Sequence, residues 1–405
     1  MQDDAADNER NVILLSGAGH FSTHFFELMF PTLAVQLASD TGTPLQDVLG
    51  WSFLGYLFFG LGALPFGFLG DRLGARVLIV TGIAGMGVFA IAAGESETGT
   101  ALTICLAGMG IFASIYHPVG MSLISRTIAR RGRALAINGI FGNVAIALTP
   151  VVTATLCSTF GWRTAYSIVG YAACALAVAC GFLPLDESRT IEPPDPATTD
   201  RQPFRASNLF VVLLIASALA GISYRGNTIL QPAYFAQNVD QMSFGATTSL
   251  VYLFGIGGQY LAGFLADRRD LRWLYFGFHA LSLPALIAMA MLTGIPLVGA
   301  AMIFVFFSLG MQPIENSLLA HVTPARWRST AYGAKFVLTF GVGAFAVRLV
   351  EWAEVEANLA FAIVCMAGVV LALLCVISVF LALSVGHEFR THPTRPAEPL
   401  PTGSV

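Results

Sequence analysis

The sequence predicts an all-α membrane protein of about twelve transmembrane helices, arranged as two six-helix bundles related by a pseudo-two-fold axis. Three observations predict this. Of the 405 residues, 56% are apolar and only 11% charged, against about 25% charged in an ordinary soluble domain, so lipid must cover much of the surface. Twelve apolar runs reach the roughly 20 residues needed to cross a bilayer. Landmarks of the first half also return in the second at a nearly constant shift, the mark of an internal duplication.

The elements follow in order. Segment 1–10 is an acidic, polar tail without the basic region of a secretory signal peptide, so the run after it reads as a membrane span. The first bundle, 11–184, holds spans at 11–38, 46–69, 76–94, 100–126, 133–157 and 161–184. Glycines in span two (Gly55, Gly60, Gly62, Gly67) and span three (Gly82, Gly85, Gly87) suit close helix packing. The interval 185–206 is rich in proline and acids and reads as a linker. The second bundle, 207–385, holds spans at 207–237, 244–266, 272–293, 296–321, 328–350 and 357–385, followed by a polar tail at 386–405.

The repeat is explicit. GFLGDR at 67–72 returns as GFLADR at 263–268, His117-Pro118 of span four as Gln312-Pro313 of span ten, and Arg131-Gly-Arg133 as Arg326-Trp-Arg328. Pro31 and Pro232 pair spans one and seven. Orientation follows from arginine. With both termini in the cytoplasm, all but four of the 21 basic residues fall on that side. The exceptions are Arg163 and Arg348 at outer ends, and Arg225 and Lys335 within spans. A multi-pass protein of a cell membrane, bacterial inner membrane included, with both termini cytoplasmic is the expectation.

Gly67-x3-Asp71-Arg72-x-Gly74-x-Arg76 matches in full the loop motif between spans two and three of the major facilitator superfamily, which the whole chain resembles. A second copy reads Gly263-x3-Asp267-Arg268-x-Asp270-x-Arg272, with an aspartate in place of the second glycine. The resemblance implies the major facilitator fold, alternating access, and a cytoplasmic latch formed by these residues. Within the superfamily, Ser16-x3-His20, Tyr116-His117-Pro118, and Gly142-Asn143 with Thr149-Pro150 are similar to the fosmidomycin-resistance-type efflux branch. Two features depart from the antiporter pattern: Thr149-Pro150-Val151-Val152 lacks its Gly-Pro, and Thr103 and Cys105 stand where antiporters often place a basic residue.

Ionisable groups inside spans cost several kcal/mol and mark function. Seven stand out: His20, His24 and Glu27 in span one, His117 in span four, Arg225 in span seven, Glu315 in span ten and Lys335 in span eleven. The resemblance places spans one, four, seven and ten around the central cavity. His20, His24, Glu27 and Pro31 share one helical face. Three readings of that stripe stand open: a proton or polar-solute site, since histidine titrates near neutral pH; a transition-metal site of His20, His24 and Glu27 for iron or manganese; or a helix–helix hydrogen-bond network. Arg225 needs a partner, which an anionic solute or Glu27 supplies. Glu315 and Lys335 lie at similar depth on neighbouring spans, placed to form a buried ion pair. Tyr116, Asn138, Asn143, Asn227, Gln231, Gln259, Gln312 and Asn316 are further candidates for the cavity wall.

Several classes are excluded or disfavoured. The net charge of −3 offers no basic surface for nucleic acid. The six cysteines sit in apolar runs without a CxxC, and read as small hydrophobes. No phosphate loop or zinc-protease helix is present, so no enzyme activity and no cofactor are expected. The expectation is a monomeric secondary transporter of a small polar or anionic solute, with proton-coupled efflux among its modes. A divalent-metal transporter and a non-transporting membrane sensor or scaffold are the alternatives.

Overall fold

The computed structural model describes residues 2–128, 130–187, 207–324, 328–386 and 389. At 2–5, 71, 131, 132, 328 and 329 it describes the backbone alone. The remainder of the linker, nearly all of the C-terminal tail, Arg326 and the side chains of Asp71, Arg131 and Arg328 therefore lie outside the described residues.

The described chain is helical, with no strand among the described residues. Span one is a 40-residue helix, Gln2–Thr41, that carries its polar stripe and Pro31 without breaking. Span two is interrupted twice, as Leu45–Gly50, Phe53–Leu61 and Ala63–Leu73. Span three is Ala75–Gly94, and span four runs Gly99–Ala113 and Tyr116–Thr127, interrupted just before His117-Pro118. Spans five and six form one continuous run, Arg131–Gly181, turned only at Gly161 (φ 81°, ψ 160°), a conformation that needs glycine. Spans seven to ten are Asn208–Asn238, Phe244–Ala266, Leu271–Met291 and Gly294–Val322. Span eleven begins as Arg328–Phe336, becomes π-helical over Val337–Val342 and resumes as Phe345–Glu356; span twelve is Leu359–Leu383. Ser207, Ser243, Asp270 and Asn358 cap the spans that follow them, each side chain accepting a free amide of the first turn.

Ten of these stretches are apolar and long enough to cross a membrane, and the one at Arg133–Gly181 is long enough to cross twice. With the polar-striped first helix, the count reaches the expected twelve. Exposed Val77, Ile104, Phe182, Tyr260, Leu371 and Val379 turn outward as a lipid-facing coat.

The two bundles meet along three seams: span one on seven, span two on eleven, and span five on eight. The second and third are equivalents under the pseudo-two-fold. At the seam of spans two and eleven, Gly60 lies so close to Gly341 that a Cβ there would collide with its backbone. The π-helical stretch of span eleven packs here, against spans two and seven. A π segment widens the turn and re-aims side chains, often beside functional groups.

The repeated loop motif resolves into two local caps. Gly74 adopts φ 84°, and the carboxylate of Glu187 accepts the amides of Ala75 and Arg76, both at 2.8 Å. In the second copy Asp270 stands at the Gly74 position and accepts the amide of Arg272 at 2.9 Å. Arg76 donates to the Gly181 carbonyl, closing span six, and Arg272 donates to the Ser384 carbonyl at 2.6 Å, closing span twelve. Arg268 donates to Phe264 O at 2.9 Å, while Arg72 and Asp267 are exposed. The contacts described for these arginines therefore stay inside their own bundles rather than joining the two.

Candidate functional site

The first-span stripe points inward, at the seam with span seven. Glu27, buried, accepts from His24 Nδ1 through Oε2 at 2.6 Å and from Arg225 Nη2 through Oε1 at 2.6 Å. Arg225 is 1% exposed, and its guanidinium lies 3.7 Å over the ring of Tyr56 on span two, whose hydroxyl donates to the Glu27 carbonyl at 2.9 Å. An anion, an aromatic face and a neighbouring imidazole thus replace the water that both charges gave up. The pair ties one bundle to the other. Nε and Nη1 of Arg225 are buried without a partner, so the guanidinium keeps donors for a second acceptor.

One turn toward the N-terminus, His20 Nδ1–H donates to the Asn138 carbonyl at 2.9 Å, and its ring stacks on Tyr116 at 4.8 Å. Tyr116 in turn donates to Asn138 Oδ1 at 2.8 Å. His117 stands beside both first-span histidines, with ring centroids 5.5 Å from His20 and 5.4 Å from His24. Its other face lies against Phe336 (5.2 Å) and Phe340 (5.5 Å), which the π-helical region of span eleven presents. The first-span set of His20, His24 and Glu27 is therefore rearranged. Both Glu27 oxygens are taken, and the group found beside the two histidines is His117.

A second buried ion pair lies within the C-terminal bundle. Glu315 Oε1 is 2.7 Å from Lys335 Nζ and accepts from Ser217 at 3.0 Å, while Oε2 accepts from Tyr275 at 2.8 Å. Lys335 also donates to Asn316 Oδ1 at 2.6 Å. His279 of span nine packs edge-on against Tyr275 at 4.9 Å, and its buried Nε2 has no partner.

Asn143, Gln259 and Gln312 form a relay across the seam of spans five and eight: Asn143 donates to Gln259 at 2.7 Å, and Gln259 to Gln312 at 3.3 Å. Gln312 is exposed and His20, Asn143, Gln259 and Asn316 are half-buried, while Glu27, Arg225 and Gln231 are buried. Leu45–Gly50 packs against Phe345–Glu356.

A small cavity between span seven and its neighbours is lined by Tyr224, Asn227, Thr228, Gln231, Tyr252 and Ser308, with Phe304, Val305 and Leu309 completing its wall. Both side-chain polar atoms of Gln231, Oδ1 of Asn227 and the Tyr252 hydroxyl are buried there without partners. Each such group costs about 1–3 kcal/mol when unsatisfied, so the four unpaired atoms make this a polar point in an otherwise apolar interior. A second cavity, between spans one, two and four, is lined by Glu27, Tyr56, Phe26, Phe30, Phe59 and Met109 among others.

Sequence reasoning missed Tyr56, Tyr224, Tyr252, Ser217, Tyr275 and His279. The tyrosines and the serine pass as ordinary residues of apolar runs, and nothing local distinguishes them. His279 could have been found, because it is an ionisable group inside a span like the seven singled out.

Residues 15–347 match the family model for the Major Facilitator Superfamily. The chain belongs to that superfamily. It is 26% identical over 244 residues to a probable L-galactonate transporter of Escherichia coli strain K12, covering 55% of this chain and 52% of that protein. It is 29% identical over 165 residues to a tetracenomycin C resistance and export protein of Streptomyces glaucescens (39% and 30%). A 4-hydroxybenzoate transporter of Pseudomonas aeruginosa is 28% identical over 157 residues (37% and 34%). The chain thus spans about half the length of the first of these relatives and about a third of the others. Among solved structures, a bacterial homologue of the human lysosomal transporter Spinster, in an inward-facing and occupied conformation, superposes with a TM-score of 0.71. It shares 16% identity over 92% of this chain and 97% of that one, a likeness of fold.

Proposed function

We propose that this superfamily member is a secondary transporter of small organic anions, with hydroxylated carboxylates as its substrate class. The observation that carries the reading is Arg225: a buried guanidinium on the seam between the bundles, held by one carboxylate and keeping two nitrogens unpaired. A solute carboxylate matches those donors. The unpaired Oδ1 of Asn227, the unpaired amide of Gln231 and the Tyr252 hydroxyl, on the same span and its neighbour, offer complementary groups for its hydroxyls. The relatives named for L-galactonate and 4-hydroxybenzoate transport both take hydroxylated carboxylates, which supports the same class. In this reading the solute competes with Glu27 for Arg225, and loosening that cross-bundle pair lets the bundles rock between two openings. The bias of arginine toward one side supports cytoplasmic termini in this reading.

The test is uptake of radiolabelled sugar acids and aromatic hydroxy acids into proteoliposomes, with and without an imposed pH gradient, for the wild type, Arg225→Ala and Arg225→Lys. We expect saturable flux that Arg225→Ala abolishes and Arg225→Lys reduces, in protein that stays monodisperse. Dependence on the pH gradient would establish proton coupling, and its direction would assign import or export. Unchanged flux in Arg225→Ala removes the anion site; absence of flux with every acid removes the substrate class.

A further inference from the structure

We propose that the N-terminal bundle holds a binding site for a divalent transition metal, formed by His20, His24 and His117. Its ligands lie on spans one and four and do not include Arg225, although His24 and Arg225 share Glu27 as a partner.

The ligand nitrogens of these three residues all lie within 4.8 Å of one another. The three rings form a nearly equilateral triangle, with centroid separations of 4.9, 5.5 and 5.4 Å. A tetrahedral ion with metal–nitrogen bonds of about 2.05 Å sets its imidazole centroids about 5.2 Å apart and its ligand nitrogens about 3.3 Å apart. The ring spacing already fits, and rotation of the rings closes the nitrogens.

The hydrogen bonds also prepare the ligands. The Asn138 carbonyl at 2.9 Å is a closer partner of His20 Nδ1 than the Asn138 amide nitrogen at 3.3 Å, which favours the proton on Nδ1 and the lone pair on Nε2. His24 Nδ1 is bound in the same way to the Glu27 carboxylate, leaving its Nε2 as the ligand. A carboxylate or carbonyl behind a ligating imidazole is the usual outer shell of such a site. His117 supplies the third observation: it is 8% exposed, and its Nε2 is buried with no partner. Tyr116, Phe59, Phe336 and Phe340 close an aromatic wall around it.

Three neutral imidazoles select zinc, cobalt, nickel or copper(II) over magnesium, calcium or manganese, which prefer oxygen. This departs from an iron or manganese cargo held by Glu27. Three protein ligands leave a fourth position for water or an anion. Half-buried His20 gives the ion its approach.

The test is a cobalt(II) titration of the tag-free, detergent-solubilised protein, followed by visible absorption and by displacement with zinc(II). We expect one equivalent to give the intense d–d bands of four-coordinate cobalt, lost on adding zinc. His117→Ala and His20→Ala should each weaken binding by about 100-fold or more, and His279→Ala should leave it unchanged. The wild-type spectrum decides the matter even if a ligand variant fails to fold: only the weak bands of hydrated octahedral cobalt at one equivalent overturn the site. Equal titrations for wild type and a monodisperse His117→Ala protein overturn it as well.

Discussion

The contact between Glu27 and Arg225 can be weighed by a double-mutant cycle. Two unit charges 2.6 Å apart attract with about 6 kcal/mol at an effective dielectric near 20. His24 and Tyr56 also contact the pair, so removing one charge leaves its partner partly compensated. Deleting one member of a buried pair usually costs about 3–5 kcal/mol, whereas replacing both with uncharged groups of similar volume costs far less than twice that. Glu27→Gln and Arg225→Met keep the volumes. Each single substitution should lower stability by about 3–5 kcal/mol, and the double variant should recover about 2–3 kcal/mol of the summed loss as coupling. At about 2 °C per kcal/mol for a large chain, the singles melt about 6–10 °C below wild type. The double variant then melts at least about 4 °C above the additive value. Dye-monitored melting in detergent reads all four proteins side by side. If the shifts add to within about 1 °C, the two side chains do not share a buried contact, and the account of the cross-bundle seam fails.

Three further outcomes follow from single side chains. Tyr56→Phe keeps the ring beneath Arg225 and gives up one hydrogen bond, a loss of about 1 kcal/mol; Tyr56→Leu removes the face as well and should cost about 2 kcal/mol more, and equal melting temperatures for the two would contradict the stacked geometry. Lys335→Met leaves Glu315 with the Tyr275 and Ser217 hydroxyls, so its cost should stay near the lower end of the range for a broken buried pair, about 3 kcal/mol; a loss below about 1 kcal/mol, measured by the same melts, would show that the ammonium is not engaged. Glu187→Ala strips the acceptor from the first turn of span three and should cost about 1–2 kcal/mol, and Glu187→Asp, whose side chain is one methylene shorter, should lose nearly as much; a neutral Glu187→Ala would mean that the amides of Ala75 and Arg76 find another acceptor.

The helical class and the number of spans were readable because they rest on quantities carried by every residue: apolar run length, charge scarcity and the recurrence of GFLGDR as GFLADR. The charged contacts were readable in part, since a charge within a span must find an opposite one: Glu315 lay at the depth of Lys335, and Glu27 was one of two partners open to Arg225, an anionic solute being the other. The neighbours of those charges were not. Tyr56, Tyr275 and Ser217 enter the site through the rotation of helices about their own axes, which packing decides and hydropathy does not record. His117 was visible as a residue, but its place beside His20 and His24 depends on how spans one and four pack together. The π-helical stretch of span eleven had no local signature either, and it brings Phe336 and Phe340 to that ring.

Asp270 and Glu187 perform one task from different places in the chain. The C-terminal bundle carries its acidic cap inside the loop it stabilises, whereas the N-terminal bundle borrows one from the start of the interdomain connection. The two duplicates are therefore no longer interchangeable parts. A split version cut before residue 187 would send its first fragment out with a bare helix start, and moving the cut a few positions later would return the missing carboxylate to the fragment that uses it.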